Sequence, residues 1–165
     1  MPEPMTAADE SIVAAQLQRP PRGVVGIAYR CPCGKPAVVV TRPRLADGTP
    51  FPTMYYLTCP RAAAECSSLE SQGVMAEMNR RLKHDHDLAL AYHGAHERYL
   101  ADRERLDSVP EIAGTSAGGM PDRVKCLHAL AAHALAAGAG VNPLGDEVVQ
   151  TVGAFWIRPC LEESS

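Results

Sequence analysis

The residues best suited to chemistry are thiols. In Arg30-Cys31-Pro32-Cys33-Gly34 two sulfurs stand one residue apart on a Pro/Gly turn. Cys59, directly before Pro60, and Cys126 arrive from far along the chain. Thiolates bind zinc tetrahedrally in structural sites, and sets of four also hold iron–sulfur clusters. The C-x-C spacing is tighter than the C-x2-C of a zinc knuckle, and Cys31 and Cys59 both precede proline, a pairing compatible with clusters. The expectation is that Cys31, Cys33, Cys59 and Cys126 meet at one metal centre, zinc or iron–sulfur. The bland alternative makes Cys59 and Cys126 small buried hydrophobes. Cys66, inside a helical stretch, and Cys160, near the end of the chain, read as incidental.

A second candidate is the small-residue loop running from Gly114 to Arg123. Amides at a helix N-terminus, with little side chain in the way, form a ready anion site. Gly118, Gly119 and Arg123 are therefore candidate ligand-binding residues for a small anion. With Cys126 as a metal ligand, Asp122, Lys125 and His128 become candidates for substrate contact or proton transfer. The plain alternative is a connecting loop. The other histidines carry less: His84 and His86 read as a solvated helix junction, His93 and His96 as surface positions at i, i+3, and His133 as a core histidine.

These residues need a scaffold. Residues 7–18 read as a short helix, stopped by Arg19-Pro20-Pro21-Arg22-Gly23. Strands are expected at 24–29, 38–41 and 53–58, with an Asp47-Gly48 turn between the last two. In an antiparallel meander, Cys59 returns to the sheet end that holds Cys31 and Cys33. Helical patterning follows at 60–72, around Val74 to Leu82, and from Asp85 or Asp87 toward Asp107. A further helix is expected from Pro121 to Ala137, and a last short one from Gly145 or Asp146. The fold class is α+β: a small three-stranded antiparallel sheet packed with about five helices. It forms a single domain over residues 10–157, between a flexible N-terminus (1–9) and a flexible tail (158–165).

Composition agrees. The chain is 46% hydrophobic but only 5% aromatic, which favours closely packed helices over a large sheet sandwich. Its net charge of −3 is unevenly spread. Residues 19–61 hold seven basic residues against Asp47 alone, whereas residues 62–165 hold nine basic and fifteen acidic. The basic zone suits an anionic ligand, a protein partner or the chain's own acidic half. Few stacking aromatics accompany it, which argues against nucleic acid. No signal peptide and no membrane-spanning run are visible, so a cytoplasmic location is expected, where thiols stay reduced and serve metals or catalysis.

Several strings together resemble one bacterial family: Cys31-Pro32-Cys33-Gly34, Thr49-Pro50-Phe51-Pro52-Thr53, Tyr55-Tyr56-Leu57-Thr58-Cys59-Pro60, the run from Gly118 to His128, and Asn142-Pro143-Leu144-Gly145-Asp146-Glu147. The chain resembles domain-of-unknown-function family five hundred and one over roughly residues 10–150. The resemblance implies family positions at Cys31, Cys33, Cys59, Cys126, His96, Glu97 and Tyr99, with Cys66 and Cys160 as extras. It implies no reaction; the family's genes tend to neighbour those of an exopolyphosphatase-like enzyme and a septum-formation initiator, which is association rather than mechanism.

Two functions follow as expectations. One is a metal-dependent enzyme acting on a small anion held at the Gly118-Gly119 loop. The other is a non-enzymatic module in which zinc staples the sheet to the Cys126 helix and the basic face docks a partner.

Overall fold

The computed structural model describes residues 2–161. Thr6 starts α1 (Ala7–Leu17): its hydroxyl accepts from the Asp9 amide while the Asp9 carboxylate accepts from the Thr6 amide. This reciprocal cap satisfies two otherwise orphaned donors. Ahead of it, Glu3 exchanges backbone hydrogen bonds with Ile27 at 2.9 and 2.7 Å. Ordered contacts therefore reach further toward the N-terminus than the expected boundary at residue 10.

Strands β1 (Val24–Arg30), β2 (Pro36–Thr41) and β3 (Tyr55–Leu57) form an antiparallel sheet in the order β1-β2-β3. Val38 pairs with Leu57 and Val40 with Tyr55, so these four side chains share one face. Val39, paired with Tyr56, takes the other face. Every residue of β2 is buried, because both faces are covered. Helix α5 packs across all three strands on the Val38/Val40 face, and α1 packs against β2. Leu17 and Arg19 border one hollow with Val39, Thr41 and Tyr56, which places the end of α1 over the opposite face.

The remaining helices are α2 (Pro60–Ser71), α3 (Val74–His84), α4 (His86–Glu104), α5 (Leu127–Ala137) and α6 (Pro143–Val152). Asp85 caps α4 through the Leu88 amide, and Asn142 caps α6 through the Gly145 amide. Helix α5 is the hub: it touches the sheet, α2 and α6. Its alanines allow α6 to lie close. A Cβ added at Gly145 would stand 2.3 Å from the Leu130 carbonyl oxygen, so only glycine fits there.

Several polar groups in this core are partnered, although His133 Nε2, Thr58 Oγ1 and Gln16 Oε1 are buried without a hydrogen bond. The Tyr99 hydroxyl accepts from the Met54 and Tyr55 amides at 2.6 and 3.2 Å. Tyr55 donates to Asp102 at 2.9 Å. His133 is fully buried, stacks on Tyr55 with ring centroids 5.7 Å apart, and meets the Tyr99 ring edge-on. It is the core histidine expected.

The α+β class and the three-stranded meander agree with the sequence reading. Three boundaries differ. Strand β3 has three residues rather than six, because Met54 already turns its backbone between Thr41 and Tyr99. Helix α6 starts at Pro143, since Asn142 supplies the cap. Helix α5 starts at Leu127 rather than Pro121: Met120 to Lys125 forms a turn, in which Lys125 N–H donates to the Gly118 carbonyl. The expected tail from residue 158 is described as far as residue 161. A 3₁₀ turn at Phe155–Ile157 docks on α2, and Cys160 is buried. Residues 162–165 lie outside the described residues.

Candidate metal centre

Strand β1 runs straight into the Cys31-Pro32-Cys33-Gly34 turn. Gly34 N–H donates to the Cys31 carbonyl and Cys31 N–H to the Lys35 carbonyl, both at 2.8 Å. Gly34 sits at φ 94°, in the left-handed region that glycine adopts without cost. Cys33 N–H points at Cys31 Sγ, 3.4 Å away. The Arg30 guanidinium braces the turn from outside, donating to the Gly34 carbonyl at 2.8 Å, to Asp9 at 3.0 Å and to Glu3. Its hydrogen bond to Asp9 is the main reason that carboxyl is lowered to about 2.

Cys59 is delivered by the meander. It is the N-cap of α2, with Pro60 in the first helical position, and its amide reaches the Ala37 carbonyl at 3.3 Å. It therefore sits at the knuckle end of the sheet, as the strand directions require. The fourth sulfur is not the expected one. Cys160 Sγ lies 3.2 Å from Cys59 Sγ, 3.3 Å from Cys33 Sγ and 3.7 Å from Cys31 Sγ. The sulfurs of Cys31, Cys33 and Cys160 all fall within 4.8 Å of one another, a geometry able to hold a metal ion, and Cys59 joins through Cys160. Arg61 fixes the segment by donating to the Pro159 carbonyl at 3.1 Å.

The six cysteines are all free thiols. Burial, then contact with Cys59 and Cys33, pushes the Cys160 thiol well above its usual range. Burial also raises Cys31. Burial opposes the Cys33 thiolate too, but hydrogen bonding from Cys31 and the Lys35 amide outweighs it, and the net shift is downward. Crowded thiols of this kind cannot all ionise unless a cation supplies the compensating charge.

Cys126 belongs to a second group, with Glu70 of α2 and His128 of α5. It is the N-cap of α5. His128 Nδ1 lies 3.2 Å from Glu70 Oε1, and His128 Nε2 lies 3.1 Å from the Ser67 hydroxyl. Glu70 Oε2 accepts from the Leu127 amide at 3.1 Å. Burial raises the Cys126 thiol, but its hydrogen bond with His128 and the nearby Ala129 amide prevail and lower it. The same bond raises His128. Cys66, one helical turn before Glu70, is buried and pushed up to about 12 by burial.

The loop before α5 has structural reasons for its glycines. Gly118 and Gly119 have φ of 68° and 92°, and a Cβ on Gly119 would meet the Arg123 carbonyl at 2.7 Å. Both glycine carbonyls accept, from Lys125 and Arg123 amides. The first amide of α5, where an anion was expected, holds the Glu70 carboxylate instead. Asp122, Arg123 and Lys125 are exposed on this rim. Of the basic segment, Arg22, Arg30 and Arg44 pair with Asp47, Asp9 and Glu111 of the same chain. His84 and His86 are exposed, and His93 pairs with Glu97 at 3.6 Å. His96 is buried, with Nδ1 2.7 Å from the Ser116 hydroxyl, rather than on the surface.

Sequence reasoning missed Cys160, Glu70 and Ser67. Cys160 had one usable signal: it follows Pro159 and the apolar run Phe155-Trp156-Ile157, which can anchor a terminal segment. Glu70 and Ser67 had none, because they meet His128 only through the packing of α2 on α5.

A family described as proteins of unknown function, DUF501, matches residues 27–150. The match takes in both thiol groups except Cys160. No curated protein and no solved structure matches the chain. Among the described residues, no helix is long and apolar enough to cross a membrane.

Proposed function

The chain belongs to DUF501, and from its own geometry we propose that Cys31, Cys33, Cys59 and Cys160 hold one structural zinc ion. The observation that carries this is the convergence of three sulfurs on Cys160 Sγ at 3.2 to 3.7 Å. Four sulfurs bound at about 2.3 Å to one ion stand about 3.8 Å apart, so the contacts to Cys160 widen slightly while Cys59, outside the 4.8 Å group, closes on the Cys31–Cys33 turn. In a four-iron cluster each thiolate binds its own iron, and the sulfurs stand further apart than this. A disulfide would satisfy one neighbour of Cys160 and strand the others. Four protein ligands close the site, which is the structural rather than the catalytic arrangement.

The ion's task is to join three segments: the β1–β2 turn, the start of α2 and the segment after α6. Elemental analysis tests this. The purified chain should carry zinc that Cys160→Ser and Cys33→Ser each remove, with loss of several kcal/mol of stability. Unchanged zinc in both variants would reject the assignment. Activity toward a small anion is a second reading, favoured by exposed Arg123 and Lys125 beside Cys126.

A further inference from the structure

We propose that Glu70, Cys126 and His128 form a second metal site, a three-ligand zinc centre with its fourth position open to solvent. The donors are Glu70 Oε1, His128 Nδ1 and Cys126 Sγ. Ligand atoms from all three residues lie within 4.8 Å of one another. Oxygen and nitrogen ligands at about 2.1 Å on a tetrahedral ion stand about 3.4 Å apart. Glu70 Oε1 and His128 Nδ1 are 3.2 Å apart, so this pair spans a zinc ion with little movement.

The outward atoms of these ligands argue for a metal over a thiolate–imidazole nucleophile. His128 Nε2 is held by the Ser67 hydroxyl at 3.1 Å, which fixes the ring and leaves Nδ1 for the ion. Glu70 Oε2 is held by the Leu127 amide at 3.1 Å, which turns Oε1 inward. A nucleophilic cysteine needs one imidazole nitrogen to itself. Here Nδ1 meets Glu70, Nε2 meets Ser67, and the ring also bonds the Cys126 thiol, so the imidazole is shared among three partners rather than reserved for the thiol. Three mixed ligands, each partly buried rather than sealed in the core, are the pattern of catalytic zinc, where water or a substrate oxygen takes the fourth place. Lys125 and Arg123 on the adjoining rim suit an anionic oxygen ligand.

The test compares zinc content, after dialysis against a zinc buffer, of the full chain, His128→Ala and Glu70→Gln, with folding followed by circular dichroism. The full chain should hold two equivalents and each variant one. Alkylation supplies a second measurement: iodoacetamide, which forms an S–C bond and expels iodide, should label Cys126 about tenfold faster once zinc is stripped. Zinc content equal to that of the full chain in both variants, or labelling of Cys126 indifferent to zinc, would overturn the proposal. Cys33→Ser reads the four-thiolate site separately, since its loss leaves the Cys126 labelling contrast intact.

Discussion

The six thiols divide by environment rather than by spacing along the chain. Cys66 is as buried as Cys31, yet it stands outside the sulfur cluster, and burial first, then the nearby Glu70 and Cys126, push it up. Cys160 is equally hidden but stands among three sulfurs. Serine at the two positions should separate these roles. Cys66→Ser should cost about 1–3 kcal/mol in a urea melt, the penalty of a buried hydroxyl without a partner, and leave zinc content unchanged. Cys160→Ser should lose the metal. Three of the four clustered thiols, Cys31, Cys33 and Cys59, were legible as neighbours from Cys-Pro-Cys-Gly and the direction of the meander. Cys126, expected as the fourth because it opens a helix after a glycine loop, lies instead beside Glu70 and His128.

At the scale of elements, α5 carries the most consequence. It is apolar nearly all round, so periodicity revealed a buried helix but not where it begins. Pro121 resembled a first helical residue, whereas the Gly118 and Gly119 carbonyls capture the following amides in a turn. His133 makes α5 sensitive to pH. Burial lowers it to about 4 from an ordinary value of 6.5, so the native state resists the proton that the unfolded chain accepts. Its contribution is whole above pH 6.5 and is lost as pH falls toward 4, about 2 kcal/mol by pH 5. His133→Leu should lack this drop when its stability curve is compared with that of the parent chain. The α5–α6 contact gives another expectation. Gly145→Ala should destabilise by about 1–3 kcal/mol in thermal or urea unfolding, because the added methyl meets the Leu130 backbone.

For the whole molecule, the sheet was readable from its β-branched strands and Asp-Gly turn, and so was the coincidence of Cys59 with the knuckle. What no local pattern carried was the return of the last segment to the first strand. Arg61, Phe155 and Cys160 make that return, from positions about 100 residues apart in sequence. The basic front half illustrates the same limit. Its charge suited an anionic ligand, a protein partner or the chain's own carboxylates, and three of its arginines meet carboxylates of the chain itself. The chain is thus closed on itself at the thiol cluster, with its N-terminal knuckle, middle and C-terminal segment brought to one point. X-ray absorption at the zinc edge of His128→Ala, which removes the second site, tests this most directly. Four sulfur neighbours at about 2.3 Å are expected. A mixed nitrogen and oxygen shell, or no bound zinc, would contradict the account.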